Sequence, residues 1–139
     1  MIFLDSLPYK LGTPFEEINI DLILKKKYSD GYSIYISDRY SEVYLFGKVF
    51  ESICSLFFSN NILTTIDYRF NNKYYTLFKE SINEYLPTDK KLNQDPFLEK
   101  AQLYSYYENT AISLIELNEN FFLLRLSDNP SLPRIKPNN

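Results

Sequence analysis

Carboxylates are the only strong acid and base groups that this chain carries in quantity. It has 18 Asp and Glu residues and no His, which excludes an imidazole base, a Ser-His pair and a His metal ligand. Hydrolysis of a neutral, sugar-like substrate would need two carboxyls facing each other across a cleft, one with a raised pKa. Asp38 and Asp67 lie beside Arg39 and Tyr68, in segments that can reach a shared edge. Surface salt bridges explain these two acids better than catalysis.

Covalent catalysis has no good candidate in the sequence. Cys54 is the one cysteine, and its neighbours Ile53, Leu56 and Phe57 are apolar. A thiol becomes a nucleophile when a neighbouring positive group lowers its pKa, and these neighbours supply none. We therefore interpret Cys54 as a small buried hydrophobe. The serines stand in neither a Gly-x-Ser-x-Gly nor a Ser-x-x-Lys setting.

Metal and phosphate sites also lack a motif. The chain has no Cys-x-x-Cys pair and no calcium-loop sequence, and its three glycines, Gly12, Gly31 and Gly47, are isolated. We therefore expect neither a metal nor a cofactor. The net charge of −3 and a pI near 5.0 argue against a nucleic-acid partner, because such binders usually carry a basic excess.

Acidic and tyrosine residues concentrate in one third of the chain. Residues 80–119 hold eight acids against three lysines, a net charge of −5, together with a run of tyrosines. Such a mixture suits a docking face for a basic protein, since the charges speed encounter and the rings supply contact energy. Solvated faces of a helix and a sheet are the alternative explanation. The predicted partner-binding residues are Glu80, Glu84, Glu99, Glu108, Glu116, Glu119, Tyr104, Tyr106 and Tyr107.

The elements that position these groups begin with strands. Apolar and polar residues alternate over residues 18–24, which predicts a strand with one core face. Asp30-Gly31 is a favoured tight-turn pair, and the aromatic and β-branched run 32–37 follows it. These signals predict a hairpin, with the lysine triplet 25–27 as the solvated end of its first strand, and a third strand over 42–46.

Two amphipathic helices are predicted in the middle of the chain. The first is indicated by apolar residues at three- and four-residue intervals over 46–57: Phe46, Val49, Phe50, Ile53, Leu56 and Phe57. A strand over 62–70 separates it from the second helix, which Asn71 or Asn72 caps and Pro87 ends. The buried stripe of this second helix is Tyr74, Leu77, Phe78, Ile82, Tyr85 and Leu86.

The last third of the chain predicts more strands. Asp95-Pro96 is a good opening for a short helix, although helix and strand patterns both fit residues 97–107. Strands are predicted over 102–107, 110–117 and 121–127, and the Pro-containing stretch 128–139 predicts an irregular tail. The predicted fold is α+β: a single small domain over residues 1–127, with antiparallel sheet and two amphipathic helices packed on one face.

Elimination leaves a non-enzymatic protein-binding protein as the first hypothesis. Its most economical form is a small bacterial immunity or antitoxin-type protein that neutralises a basic, nuclease-like toxin by direct binding. A carboxylate-based hydrolase of a neutral substrate, and a subunit or adaptor of a larger phage or mobile-element assembly, are the alternatives. No secretory signal or membrane span is evident and one Cys forms no internal disulfide, so we expect a cytoplasmic protein that binds no membrane. Monomer and homodimer both remain open.

Overall fold

The fold is built on a wide antiparallel sheet. The computed structural model describes residues 3–18, 21–37, 42–94 and 102–128. Within these ranges an eight-stranded sheet, a separate two-stranded hairpin and a single α-helix account for the regular structure, with short 3-10 turns between them. The predicted α+β fold with two amphipathic helices is therefore wrong, because most of the described chain is sheet.

The strands pair in an order that joins two sets of hairpins. The sheet runs β1-β2-β5-β6-β10-β9-β8-β7, and β3 pairs with β4 outside it. The elements are β1 Leu22–Lys27, β2 Tyr32–Ser37, β3 Glu42–Leu45, β4 Lys48–Glu51, β5 Ile53–Ser59, β6 Ile62–Asn71, α1 Tyr75–Tyr85, β7 Asn93–Gln94, β8 Gln102–Tyr107, β9 Thr110–Glu116 and β10 Phe121–Asp128. The β6–β10 pair joins the N-terminal strands to the C-terminal ones.

The first hairpin is confirmed. β1 and β2 pair antiparallel around the Asp30-Gly31 turn, where the Asp30 carboxylate accepts a hydrogen bond of 3.0 Å from the backbone N–H of Tyr32. Gly31 has φ +92°, and a Cβ atom there would lie 2.5 Å from the side-chain oxygen of Asn60. The turn therefore needs glycine for its dihedral and for its close approach. The strand starts at Leu22, later than predicted, and its register shifts between Leu24 and Lys26.

The predicted helix over residues 46–57 is wrong, and strands take its place. Phe46 and Gly47 both have positive φ, 53° and 78°, and form the turn between β3 and β4. The apolar residues fall at three- and four-residue intervals by coincidence, because β4 and the start of β5 follow each other directly along the chain. Val49 and Ile53, assigned to the buried stripe, are 60% and 45% exposed. The true pattern is the period-two alternation of β5, which buries every second residue.

The second predicted helix is confirmed as α1. The side chain of Asn71 accepts a hydrogen bond of 2.9 Å from the backbone N–H of Lys73 and so caps the 3-10 turn Asn72–Tyr74 that leads into it. Phe78 and Ile82 are fully buried, whereas Tyr85 is 42% exposed. The three C-terminal strands are confirmed as β8, β9 and β10. The short helix predicted from Asp95-Pro96 and the predicted tail beyond residue 128 lie outside the described residues.

The core lies on one face of the sheet, which we call the core face. Helix α1, the β3–β4 hairpin and residues 3–18 pack against it through aromatic rings. Phe78 of α1 lies with its ring centroid 4.6 Å from that of Phe70 on β6 and 5.2 Å from that of Phe122 on β10. Each fully buried phenylalanine contributes about 1.5–3 kcal/mol through removal of its apolar surface from water.

Helix length bears on membrane insertion. Helix α1 has 11 residues, and no helix in the described ranges is long and apolar enough to cross a bilayer.

Candidate protein-binding face

The opposite side of the sheet, which we call the distal face, adjoins the β3–β4 hairpin at one end, whereas α1 and residues 3–18 pack on the core face. The strand registers and the alternation of β-strand side chains assign its members. Its central and flanking side chains are Tyr32, Ile34, Ile36, Ile53, Phe57, Thr65, Asp67, Arg69, Tyr104, Tyr106, Ile115, Phe121, Leu123 and Arg125. Aliphatic, aromatic and charged groups thus share one surface.

A partly buried ion pair lies at the centre of the distal face. Asp67 and Arg125 are register partners on β6 and β10, and Arg125 donates two hydrogen bonds, Nε to Oδ1 at 2.7 Å and Nη2 to Oδ2 at 2.8 Å. Asp67 is only 5% exposed, so it is not the surface salt-bridge residue predicted from the sequence. Burial alone would lower the pKa of the Arg125 guanidinium, but the hydrogen bonds and charge of Asp67 outweigh burial and raise the pKa.

Two hydroxyl groups on the same face are buried without a partner. The Oη of Tyr32 and the Oγ1 of Thr65 are shielded from solvent, and no described group hydrogen-bonds to either. Burial raises the pKa of Tyr32 to about 12, with the charge of Arg125 opposing the shift and that of Asp67 adding to it. The ring of Tyr32 lies 6.3 Å from that of Phe57, centroid to centroid. The face thus combines an ion pair with unused hydrogen-bonding capacity.

The predicted tyrosines divide between the two faces. Tyr104 and Tyr106 lie on the distal side of β8, with ring centroids 5.6 Å apart. Tyr106 is 45% exposed. Tyr107 points the other way, is half-buried and packs against the core. Two of the three tyrosines therefore share a surface.

The predicted acids do not form one cluster. Glu80 and Glu84 are exposed on α1, on the core side of the sheet. Glu116 is the last residue of β9. The pKa of Tyr75 is raised mainly by burial, and the negative charge of Glu116 raises it further. Glu108 and Glu119 lie in the turns at opposite ends of β9, a seven-residue strand about 20 Å long. All five are exposed, and Glu99 lies outside the described residues.

The prediction missed the centre of the face, although a signal was present. Arg125 interrupts the apolar run 121–126, and Asp67 lies between Ile66 and Tyr68, so each charge stands among apolar neighbours where a buried opposite charge is a reasonable expectation. Tyr32 and Thr65 carry no comparable signal, because both residue types are common in strands. Their importance depends on the register that sets them near the pair.

The distal face offers little for catalysis. Both oxygens of Asp67 are engaged by Arg125, so this buried carboxylate is not placed to exchange a proton with a substrate. Cys54 is 1% exposed on the core face, and burial raises the pKa of its thiol, with the charge of Asp67 adding to the shift. Groups of three or more metal-binding His, Cys, Asp or Glu residues are absent from the described part of the chain.

Comparison with known proteins adds no assignment. No protein-family model, curated protein sequence or solved structure matches this chain.

Proposed function

We propose that the chain is a non-enzymatic protein-binding protein that contacts its partner through the distal face. One observation carries this proposal: a broad sheet face that α1 and residues 3–18 leave uncovered presents aromatic rings around the partly buried Asp67–Arg125 pair. Aromatic residues and arginine dominate the binding energy of protein interfaces, above all at their centres. The unpartnered hydroxyls of Tyr32 and Thr65 are shielded from solvent, so a partner can complete their hydrogen bonds only if side chains of the face move on binding.

The proposed partner is a basic protein. The chain has a net charge of −3, and the exposed carboxylates of Glu108, Glu116 and Glu119 flank the strand next to Tyr104 and Tyr106. Such charges accelerate encounter with a basic surface, whereas the rings hold the complex once it has formed. In its most specific form, the proposal is a cytoplasmic immunity or antitoxin-type protein that covers the active surface of a nuclease-like toxin.

A subunit role in a larger assembly is the second candidate. The edge strand β1 exposes Ile23 and Leu24, at 55% and 51%, and an exposed strand edge can pair with another chain. The register shift after Leu24 and the exposed Lys25–27 limit such pairing to the first half of the strand. Leu24→Lys would abolish an assembly made through this edge and leave binding at the distal face intact, because Leu24 pairs with the core-facing Tyr35 and so points away from the distal face.

The test uses the protein product of the reading frame adjacent to this one in the genome. Its affinity is measured by calorimetry for the parent chain and for a Tyr104→Ala/Tyr106→Ala variant. We expect the double variant to bind about thirtyfold more weakly, because truncating hot-spot rings costs about 2 kcal/mol or more. Tyr44→Ala is the matched control, since Tyr44 is 57% exposed on the hairpin, away from the distal face.

A charge-reversed variant completes the experiment. Glu108→Lys/Glu116→Lys/Glu119→Lys is expected to slow association at low salt, with a smaller effect at high salt, where charges are screened. Failure of the adjacent product to bind would contradict the toxin-neutralising form of the proposal. An affinity of the Tyr104→Ala/Tyr106→Ala variant equal to that of the parent would contradict the assignment of the distal face.

A further inference from the structure

A cleft opens where the β3–β4 hairpin meets one end of the distal face. Its volume is about 300 Å³, and its lining includes Glu42, Glu51, Ser52, Ile53, Arg69 and Phe121. This is the lower end of the size range of small-molecule sites, so the cleft suits a small ligand. Its charged groups come from two different units, the hairpin and the sheet.

The hairpin side of the cleft is acidic. Glu42 and Glu51 are direct register partners on β3 and β4, and both are exposed. Like charges placed opposite each other across two strands repel and destabilise the pairing. No described residue forms a salt bridge or a side-chain hydrogen bond with either carboxylate. The hairpin base therefore offers paired negative charge that no described group neutralises.

The sheet side of the cleft carries the opposite charge. The Arg69 guanidinium lies 4.3 Å from the ring centroid of Phe121, which holds it by a cation–π contact. No carboxylate in the described ranges pairs with it, in contrast to Arg125. Arg69 thus presents donors that suit a carboxylate, supplied by a ligand.

The hydroxyl of Ser52 supplies an independent indication of a ligand. Ser52 lines the cleft between β4 and β5 and is only 6% exposed. Its Oγ is buried and has no hydrogen-bond partner among the described residues. Buried hydroxyls normally have a hydrogen-bond partner, so one without a partner at the wall of a cleft indicates a ligand that binds there.

We propose that this cleft binds a small zwitterion of the amino-acid class. The ammonium group lies between Glu42 and Glu51, the carboxylate accepts hydrogen bonds from Arg69, and Ser52 hydrogen-bonds to either polar group. Ile53 and Phe121 provide an apolar wall for the side chain. A purely cationic ligand would be repelled by Arg69, and a purely anionic ligand by the two glutamates. The argument for this ligand does not rest on the proposed protein-binding role, although Ile53, Arg69 and Phe121 also belong to the distal face.

The experiment follows backbone amide signals by two-dimensional NMR during titration with glycine, L-leucine and L-phenylalanine. These probes share the ammonium and carboxylate groups and differ in side chain. We expect saturable shifts at Ser52, Ile53 and Phe121 for at least one probe. N-acetyl and carboxamide derivatives of that probe, each lacking one charge, are expected to bind at least tenfold more weakly.

Variants separate binding from folding. Glu51→Gln and Arg69→Met are each expected to weaken binding at least tenfold, whereas Glu80→Gln, an exposed glutamate on α1, is expected to leave it unchanged. Glu51→Gln should also raise the melting temperature of the ligand-free protein, because it removes the repulsion with Glu42. The proposal is overturned if no probe gives saturable shifts, or if the blocked derivatives bind as tightly as the zwitterion.

Discussion

The two faces of the eight-stranded sheet are made from the same strands but stabilised in different ways. The core face is closed by α1, the β3–β4 hairpin and residues 3–18, and its centre is a set of contacting phenylalanine rings. The distal face has an ion pair at its centre and two buried hydroxyls without partners. One face is satisfied by packing within the chain, and the other keeps polar groups unsatisfied.

This difference separates stability from recognition. Apolar burial and ring packing need no external partner, so the core face contributes to folding directly. An unpartnered buried hydroxyl opposes folding, since its desolvation is not compensated. Tolerating that cost is reasonable on a face that a partner completes. Substitutions on the two faces should therefore change the free energy of unfolding by different amounts and with different signs.

The largest effect is expected on the core face. Phe78 is fully buried and its ring contacts those of Phe46, Phe50, Phe70 and Phe122. Phe78→Ala should lower the free energy of unfolding by about 3–5 kcal/mol, measured by urea denaturation, because it removes transfer energy and leaves a cavity. Lys79→Ala, at the next and exposed position of α1, is the control. A loss below about 1 kcal/mol would mean that the helix does not close the core.

The second effect concerns the buried ion pair. Arg125→Met should cost about 2–4 kcal/mol of unfolding free energy, because it leaves Asp67 buried and unpaired. We place this below the cost for a fully buried pair, since the Arg125 side chain is 32% exposed. The double variant Asp67→Leu/Arg125→Met should recover most of the loss. If the double variant is as unstable as the single one, the pair itself stabilises the fold, and the proposed contrast between the faces fails.

The smallest effect has the opposite sign. Tyr32→Phe should raise the free energy of unfolding at neutral pH by about 1 kcal/mol, because it removes a buried hydroxyl without a partner. The pKa of Tyr32 is about 12 when folded and about 10 when unfolded. Between these values the unfolded state loses its proton first, so the parent protein should lose stability as pH rises from 10 to 12.

The control for this measurement is another tyrosine. Tyr32→Phe should reduce the slope of stability against pH in that window and leave it unchanged below pH 10. Tyr44→Phe, which alters a residue 57% exposed to solvent, should leave both the neutral stability and the slope near those of the parent. Equal effects of the two variants would show that the Tyr32 hydroxyl is not confined as described.

Local sequence signals predicted most of the elements. The Asp30-Gly31 turn and the Asn71 cap are short-range features with a direct physical cause, and each matches the structure. The error over residues 46–57 arose because two short strands and their turn imitate helical spacing over a dozen residues. The positive φ at Phe46, which few non-glycine residues adopt, has no sequence signal of its own.

The sites depended on strand order, which local patterns do not encode. Asp67 and Arg125 are 58 residues apart in sequence, and they meet because β6 pairs with β10. Glu42 and Glu51 face each other only once β3 and β4 form a hairpin, whereas the sequence predicted a strand over 42–46 followed by a helix over 46–57. Composition located the tyrosines and acids along the chain, but it did not reveal that the sheet divides them between two faces.

The β6–β10 pairing also has a consequence for the order of folding. Short connections and the β3–β4 hairpin join the strands β1, β2, β5 and β6. The other partner of β6 is β10, which starts 50 residues after β6 ends. Closing so long a loop costs more conformational entropy than forming a hairpin. During synthesis, β6 therefore remains an unpaired edge, with the carboxylate of Asp67 still hydrated, until Arg125 has left the ribosome. We expect the nascent chain to be most vulnerable to aggregation during that interval.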